Sequence, residues 1–207
     1  RYAAVCDYKT GSPNLSLNEI MEGLSLQLIT YLLALSKTKD TKDLLPAAMM
    51  YIYLHGRPKS ISVPPNGIPH AKEKENSNGI FLNDPDVLRT LDSQSGTDDG
   101  FIGVSYVKDG SVKKTSPVLT AEQFEALKAL TEKILIRLYS HLESGEITIH
   151  PVKNGTLSPC SYCPYRSICR FDPALLENSF DYISKVSDKT IREKLDEEMK
   201  RNGKENL

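Results

Sequence analysis

The opening stretch Arg1-Tyr-Ala-Ala-Val-Cys-Asp-Tyr-Lys-Thr-Gly11 decides how the rest of the chain is read. Ala3, Ala4 and Val5 make a short apolar run, Asp7-Tyr8-Lys9 ends it, and Gly11 is a stop signal, the pattern of a buried strand. Side chains alternate along a strand, so Asp7 and Lys9 project from one face while Cys6 and Tyr8 project from the other. A carboxylate at a strand end binds a hard divalent cation through oxygen. An ammonium beside it offsets charge on an attacking hydroxide or on a phosphate. The pair therefore suits hydrolysis of a phosphodiester. Taken alone, a D-x-K is more often an ordinary edge-strand ion pair, so the chemistry needs corroboration elsewhere in the chain.

Downstream of Gly11 a turn (Ser12-Pro13-Asn14) leads to a helix start, where Ser16 and Glu19 have the spacing of a capping box. The helix is expected to run unbroken to about Lys37, with Ile20, Leu24, Leu28, Tyr31 and Leu35 as its apolar stripe. Gln27 lies at the edge of that stripe, one turn before Tyr31. Its amide either bonds a specific partner or sits at the water boundary. After a charged loop over 37–43, Pro46-Ala-Ala-Met-Met-Tyr-Ile-Tyr-Leu-His55 reads as a second buried strand. Strand, helix, strand in that order favours a right-handed parallel crossover, giving a sheet built on residues 1–9 and 47–55.

Residues 57–79 hold Pro58, Pro64, Pro65 and Pro69 and the run Lys72-Glu-Lys-Glu75, and read as a mobile surface excursion. Asp84-Pro85 caps a short helix to about Leu91, and 93–100 is a polar loop. Residues 101–107 and 112–119 flank Asp109-Gly110 as a β-hairpin. Thr120 and Gln123 form a second capping box for a helix to about Ser144, striped by Phe124, Leu127, Leu130, Ile134 and Leu138 and stopped by Gly145. Ile147-Thr-Ile-His150 reads as a brief strand. Beyond a cysteine loop the charged tail keeps only a weak helical pattern near Ile191 and Leu195.

The 207 residues can bury a proper core, and 39% hydrophobic with 26% charged residues is ordinary for a soluble globular protein. No apolar run approaches the ~20 residues needed to span a membrane, and nothing at the start resembles a signal peptide. A chain that opens on Arg1 directly into a strand reads as a piece of a longer protein. A net charge of −1 gives no general pull towards nucleic acid, so any such binding is local or shared with other parts.

Of the 4 cysteines, Cys6 stands alone while Cys160, Cys163 and Cys169 crowd together with the spacing C-x2-C-x5-C. A disulfide framework would scatter them, so the cluster points to metal in a reducing compartment. Zinc and iron–sulfur centres both normally need a fourth ligand, and zinc usually draws on two C-x2-C pairs where this chain has one. Cys6 fits that position poorly if its strand is central and its side chain packs against a helix.

The series Val5-Cys-Asp-Tyr-Lys-Thr-Gly11, then Gln27-x3-Tyr31, then C-x2-C-x5-C resembles the RecB-family nucleases of the PD-(D/E)xK superfamily. Glu143-x-Gly145-Glu146-Ile-x-Ile149-x-Pro151, Pro159-Cys160-x2-Cys163 and Cys169-Arg-Phe-Asp-Pro173 narrow it to the C-terminal nuclease region of the AddB/RexB family, found in bacterial AddAB-type ATP-dependent helicase–nucleases. The resemblance implies an α/β, restriction-endonuclease-like mixed sheet flanked by helices. A nuclease core over 1–150 would be followed by the cysteine-cluster loop and charged C-terminal tail over 151–207. It also implies a cytoplasmic, Mg²⁺-dependent exodeoxyribonuclease subunit that degrades the 5′-ended strand of DNA unwound from duplex ends, in double-strand-break repair by homologous recombination. Its partners would be DNA and an AddA-type helicase–nuclease subunit, in a heterodimer away from membranes.

By the same resemblance Asp7 and the Tyr8 carbonyl are metal ligands, Lys9 is the catalytic lysine, and Gln27 and Tyr31 support the site and approach DNA. Cys160, Cys163 and Cys169 match three ligands of a [4Fe–4S] cluster. The family's G-x-x-D-R-x-D hairpin and its fourth cluster cysteine lie upstream of the D-x-K strand and have no counterpart here, so this piece alone is expected to be inactive. The alternative is a non-catalytic DNA-binding or structural module with a zinc or iron–sulfur site.

Overall fold

Why Leu45–Tyr53 is apolar at almost every position is explained by its place in the sheet. The computed structural model describes residues 1–11, 14–54, 77–97, 100–176 and 178–205. β1 (Tyr2–Lys9) pairs in parallel with β2 (Leu45–Tyr53), β2 pairs antiparallel with β3 (Ser77–Leu82), and β3 pairs in parallel with β4 (Val118–Leu119). The sheet order is β1-β2-β3-β4, so β2 is interior and β1 is at an edge among the described residues. Ala47, Met49 and Tyr51 of β2 point into one core and Ala48 and Met50 into another, which is why no polar alternation shows. This is a mixed α/β sheet flanked by helices, consistent with a restriction-endonuclease-like fold.

The larger core joins Val5, Met49, Tyr51, Ile80 and Leu82 to α1 (Leu17–Met21), α2 (Gln27–Lys37), α4 (Ala121–Glu143) and α6 (Asp188–Glu205). On the other side Ala48, Met50 and Phe81 meet Leu88 of α3 (Pro85–Leu91) together with Ile102, Val104 and Val118. That second layer does not reach β1, whose Tyr2, Ala4, Cys6 and Tyr8 are all exposed. The expected packing of Cys6 against a helix is therefore wrong: its strand is an edge strand and its face is open.

The single helix expected up to Lys37 is two. Between α1 and α2, Gly23 turns the chain at φ +81°, and Leu24 is left exposed. Ser16 makes no side-chain cap, and the Glu19 carboxylate, the other half of the expected box, accepts instead from Ser25 Oγ at 2.8 Å and from Asn154 Nδ2 at 3.3 Å. The break makes Gln27 the first residue of α2, and Leu28, Ile29 and Leu32 its buried face.

Of the excursion expected over 57–79, residues 57–76 lie outside those described, while 77–79 begin β3. The turn expected at Ser12 and Pro13, the strand end at His55 and the charged run Lys72-Glu-Lys-Glu75 also lie outside them. Gly79 stands opposite Met50 in the β2–β3 register, where a Cβ would fall 2.5 Å from the Met50 Cβ. Glycine is there for close backbone approach. The Asp84 cap forms, accepting from the amides of Asp86 and Val87, and so does the Thr120–Gln123 capping box. The hairpin around Asp109-Gly110 reduces to one bridge, Tyr106–Val112, because Val118 and Leu119 leave to pair with β3. Residues 147–150 form no strand; β5 (Val152–Lys153) pairs with β6 (Asp181–Tyr182) just beyond them.

The first half of α4 is buried through Phe124, Ala126 and Leu127, but Ile136, Leu138, Tyr139 and Leu142 are exposed. The weak tail pattern is the real helix α6. It buries Ile191 and Leu195 against the core, and Glu198 pairs with Lys133 of α4 at 2.5 Å and with Arg201. No helix among the described residues is long and apolar enough to cross a membrane.

Candidate active site

Alternation on β1 puts Val5, Asp7 and Lys9 on the face that looks towards α1 and α2. The carboxylate and the ammonium are two residues apart on that face, and Lys9 Nζ lies 2.7 Å from Asp7 Oδ2. Asp7 Oδ2 is itself buried and makes no hydrogen bond of good geometry. Its counter-charge is the lysine. The Asp7 carboxylate in turn holds the Lys9 ammonium above the ordinary lysine pKa.

From the start of α2, Gln27 reaches back across to β1. Its Oε1 accepts from Lys9 Nζ at 3.1 Å, and its Nε2 donates to Tyr31 Oη at 3.2 Å, one turn further along the helix. Gln27 is exposed, yet both ends of its amide are engaged, so the water-boundary and specific-partner readings both hold. Asp7, Lys9, Gln27 and Tyr31 thus form one chain of contacts from strand to helix. Tyr8 points the other way and its side chain is 63% exposed, so only its backbone could serve this side of the strand.

Tyr51 belongs to the same group and carries no motif of its own. It stands opposite Asp7 in the β1–β2 register, and Lys9 Nζ lies 5.3 Å from its ring centroid. Burial pushes its phenol pKa up, against the pull of Lys9. The uniformly apolar β2 run does not say which way Tyr51 faces; the strand register places it beside Lys9.

The chemistry of the Asp7 carboxylate, a hard oxygen donor whose buried Oδ2 faces the Lys9 ammonium, fits Mg²⁺. The set is incomplete, because among the described residues no three histidine, cysteine, aspartate or glutamate side chains gather closely enough to hold a metal ion.

The cysteine loop falls short in the same way. Cys160 lies in a 3₁₀ turn (Pro159–Ser161), Cys163 follows it, and Cys169 ends α5 (Arg166–Cys169). The three free thiols line one cavity of about 230 Å³ with Lys153, Arg166, Phe171 and Phe180, without converging into a ligand set. As they stand, they do not fit a cluster. Cys6, whose thiol pKa is raised by partial burial, is not gathered with them. Two hydrogen bonds tie this region to α1: Asn154 Nδ2 to Glu19 at 3.3 Å and Asn18 Nδ2 to the Ser184 carbonyl at 2.9 Å. Neither was legible as a contact in the sequence.

A family model described as PD-(D/E)XK nuclease superfamily matches residues 1–170. Among curated proteins, the chain is similar to the B subunit of the ATP-dependent helicase/deoxyribonuclease of Desulforamulus reducens, 32% identical over 201 residues. It is 30% identical over 213 residues to the protein of that description in Clostridium acetobutylicum, and 34% over 198 to that of Clostridium kluyveri. These alignments cover 92%, 99% and 92% of this chain but 17%, 18% and 17% of the relatives. The chain therefore spans less than a fifth of the length of the curated relatives it matches.

Proposed function

This chain belongs to the PD-(D/E)XK nuclease superfamily, and on that footing we propose that it is the nuclease region of a helicase–deoxyribonuclease subunit. The full-length subunit hydrolyses phosphodiester bonds in the 5′-ended strand unwound from DNA ends, in break repair by homologous recombination. It works in the cytoplasm beside an AddA-type helicase–nuclease subunit. Residues 1–150 carry the candidate catalytic residues and the cysteine loop follows them, while α6 at the end of the chain packs back into the same core. The observation that carries this reading is the contact chain Asp7–Lys9–Gln27–Tyr31, which runs from a strand end to the first turn of α2.

In this reading the Asp7 carboxylate and the Tyr8 carbonyl hold Mg²⁺, joined by acidic ligands from other parts of the full-length subunit. Bound there, the ion supplies a Lewis acid for the phosphate. Lys9 keeps a positive charge beside the reacting phosphate, where negative charge builds up as the bond to phosphorus forms. Gln27 orients that ammonium through its Oε1, the end of the amide that a donor-only ammonium requires, and Tyr31 holds the other end through Nε2. Tyr31 is 48% exposed, which leaves its ring open to the DNA strand.

Cys160, Cys163 and Cys169 would supply three of the four thiolates of a [4Fe–4S] cluster only once their loop draws them together, with the fourth from elsewhere in the full-length subunit. The test is digestion of linear duplex DNA by the full-length subunit with its partner, the partner's own nuclease disabled. Degradation of the 5′-ended strand that needs Mg²⁺ is expected. A subunit that only binds DNA would favour the non-catalytic alternative instead.

A further inference from the structure

The Lys9 ammonium meets three elements of the fold. Asp7 of β1 is its ion-pair partner, Gln27 of α2 accepts its hydrogen bond, and the Tyr51 ring of β2 lies 5.3 Å away. The first two are used in the proposed chemistry and Tyr51 is not. Tyr51 is 6% exposed and packs in the core with Val5, Met49 and Leu28, so its ring is fixed by its surroundings. Lys9 has to take its place against that ring.

The three neighbours respond differently to a bound divalent cation. The cation and the Lys9 ammonium compete for the same Asp7 oxygens. Gln27 offers the ammonium its Oε1, but as an exposed side chain it is less firmly fixed than the buried ring. An aromatic face attracts an ammonium through its quadrupole and presents no oxygen lone pair for a hard cation to take. The ring therefore keeps its hold on Lys9 when the site is loaded, beside the Gln27 oxygen.

We propose that Tyr51 is a positioning residue, whose buried ring keeps the Lys9 ammonium at the reacting phosphate when the Asp7 carboxylate turns to the metal. The inference rests on the nuclease reading above. The ring contact itself can be observed without activity.

The experiment has two arms. In this chain, the Lys9 ε-methylene resonance, identified by its disappearance in Lys9→Arg, should be shifted upfield by the Tyr51 ring current. The shift should persist in Tyr51→Phe and vanish in Tyr51→Leu. Tyr51→Met, also without a ring, carries the test if the leucine variant fails to fold by circular dichroism.

In the full-length subunit, Tyr51→Leu should lower kcat by roughly 2- to 30-fold with KM little changed, and Tyr51→Phe should lose less. A Lys9 resonance indifferent to Tyr51→Leu and Tyr51→Met overturns the proposal. So does a loss that appears in KM alone, or one as large in Tyr51→Phe as in Tyr51→Leu. A wild-type subunit with the ring-current shift that cuts no DNA overturns the nuclease reading and the catalytic part of this inference, and leaves the contact standing.

Discussion

Replacing Gly79 with alanine tests the close approach of β2 and β3, on which the sheet depends. Two effects oppose each other. Gly79 has no positive φ, so alanine would ordinarily stabilise by about 0.4–1 kcal/mol through the unfolded chain. Against that, the new methyl would sit 2.5 Å from the Met50 Cβ and 2.8 Å from the Met49 carbonyl oxygen. Neither atom can be moved by turning a side chain, since both are fixed by the β2 backbone, so the strands must part. Overpacking of this kind costs about 1–3 kcal/mol, and the clash wins, leaving a net loss of roughly 0.5–2 kcal/mol. With a urea slope of about 2 kcal/mol/M, the unfolding midpoint should fall by roughly 0.3–1 M. Gly103 is the control, with nothing within 4 Å of an added Cβ, and Gly103→Ala should be neutral or slightly stabilising. Urea unfolding followed by far-ultraviolet circular dichroism compares the two. If Gly79→Ala matches or exceeds the wild type in stability, the β2–β3 register is wrong.

Three further outcomes are expected. Lys133 holds the Glu198 carboxyl below the ordinary glutamate pKa. Its contribution is therefore full above the ordinary carboxylate range and is lost as pH falls through the depressed value. The stability gap between wild type and Glu198→Gln should accordingly shrink on acidification; a gap constant with pH would remove the ion pair from the α4–α6 contact. Gln27→Ala in the full-length subunit should slow cleavage less than loss of a metal ligand does, because it removes an orienting contact; a strand-resolved assay showing complete loss would reverse that ranking. The 207-residue chain by itself should fold yet digest no linear DNA with Mg²⁺ or Mn²⁺ and hold no intact four-iron cluster. Iron analysis after anaerobic reconstitution, with a nuclease assay beside it, checks both; four irons per chain or DNA digestion would show that the missing ligands are not needed.

Elements marked by local chemistry were legible in the sequence. β1, the Asp84 and Thr120 caps and the apolar run of β2 each carry their signal within a few residues. β3 was missed because its six residues adjoin a charged, proline-rich stretch and contain a glycine, normally a mark against a strand. Only the approach of Met50 explains that glycine. The α1–α2 break was missed because helical periodicity continues through Gly23, and Leu24 matched a stripe it does not join. α6 looked weak because Ile191 and Leu195 are its fully buried apolar side chains, while Glu198 is buried through the tertiary partner Lys133.

The site divides along the same line. Asp7 and Lys9 stood out by spacing and Gln27 by its place at the edge of a stripe, while Tyr31 joined them only through the family resemblance; the fold brings the four side chains into one contact chain. Tyr51 reaches the same place through the β1–β2 register, which spacing along the chain does not encode. The three clustered thiols share a cavity, but nearness in sequence did not make them a ligand set.

The most direct measurement is cleavage by the full-length subunit carrying Asp7→Ala, with the partner's nuclease disabled and the two DNA strands resolved. Asp7 Oδ2 is a buried oxygen paired with Lys9, and its removal takes away the proposed metal ligand along with the partner of Lys9. Cleavage of the 5′-ended strand should be abolished, with folding and association with the partner nearly intact. Undiminished cleavage of that strand would mean that Asp7 and its neighbours are not the nuclease site.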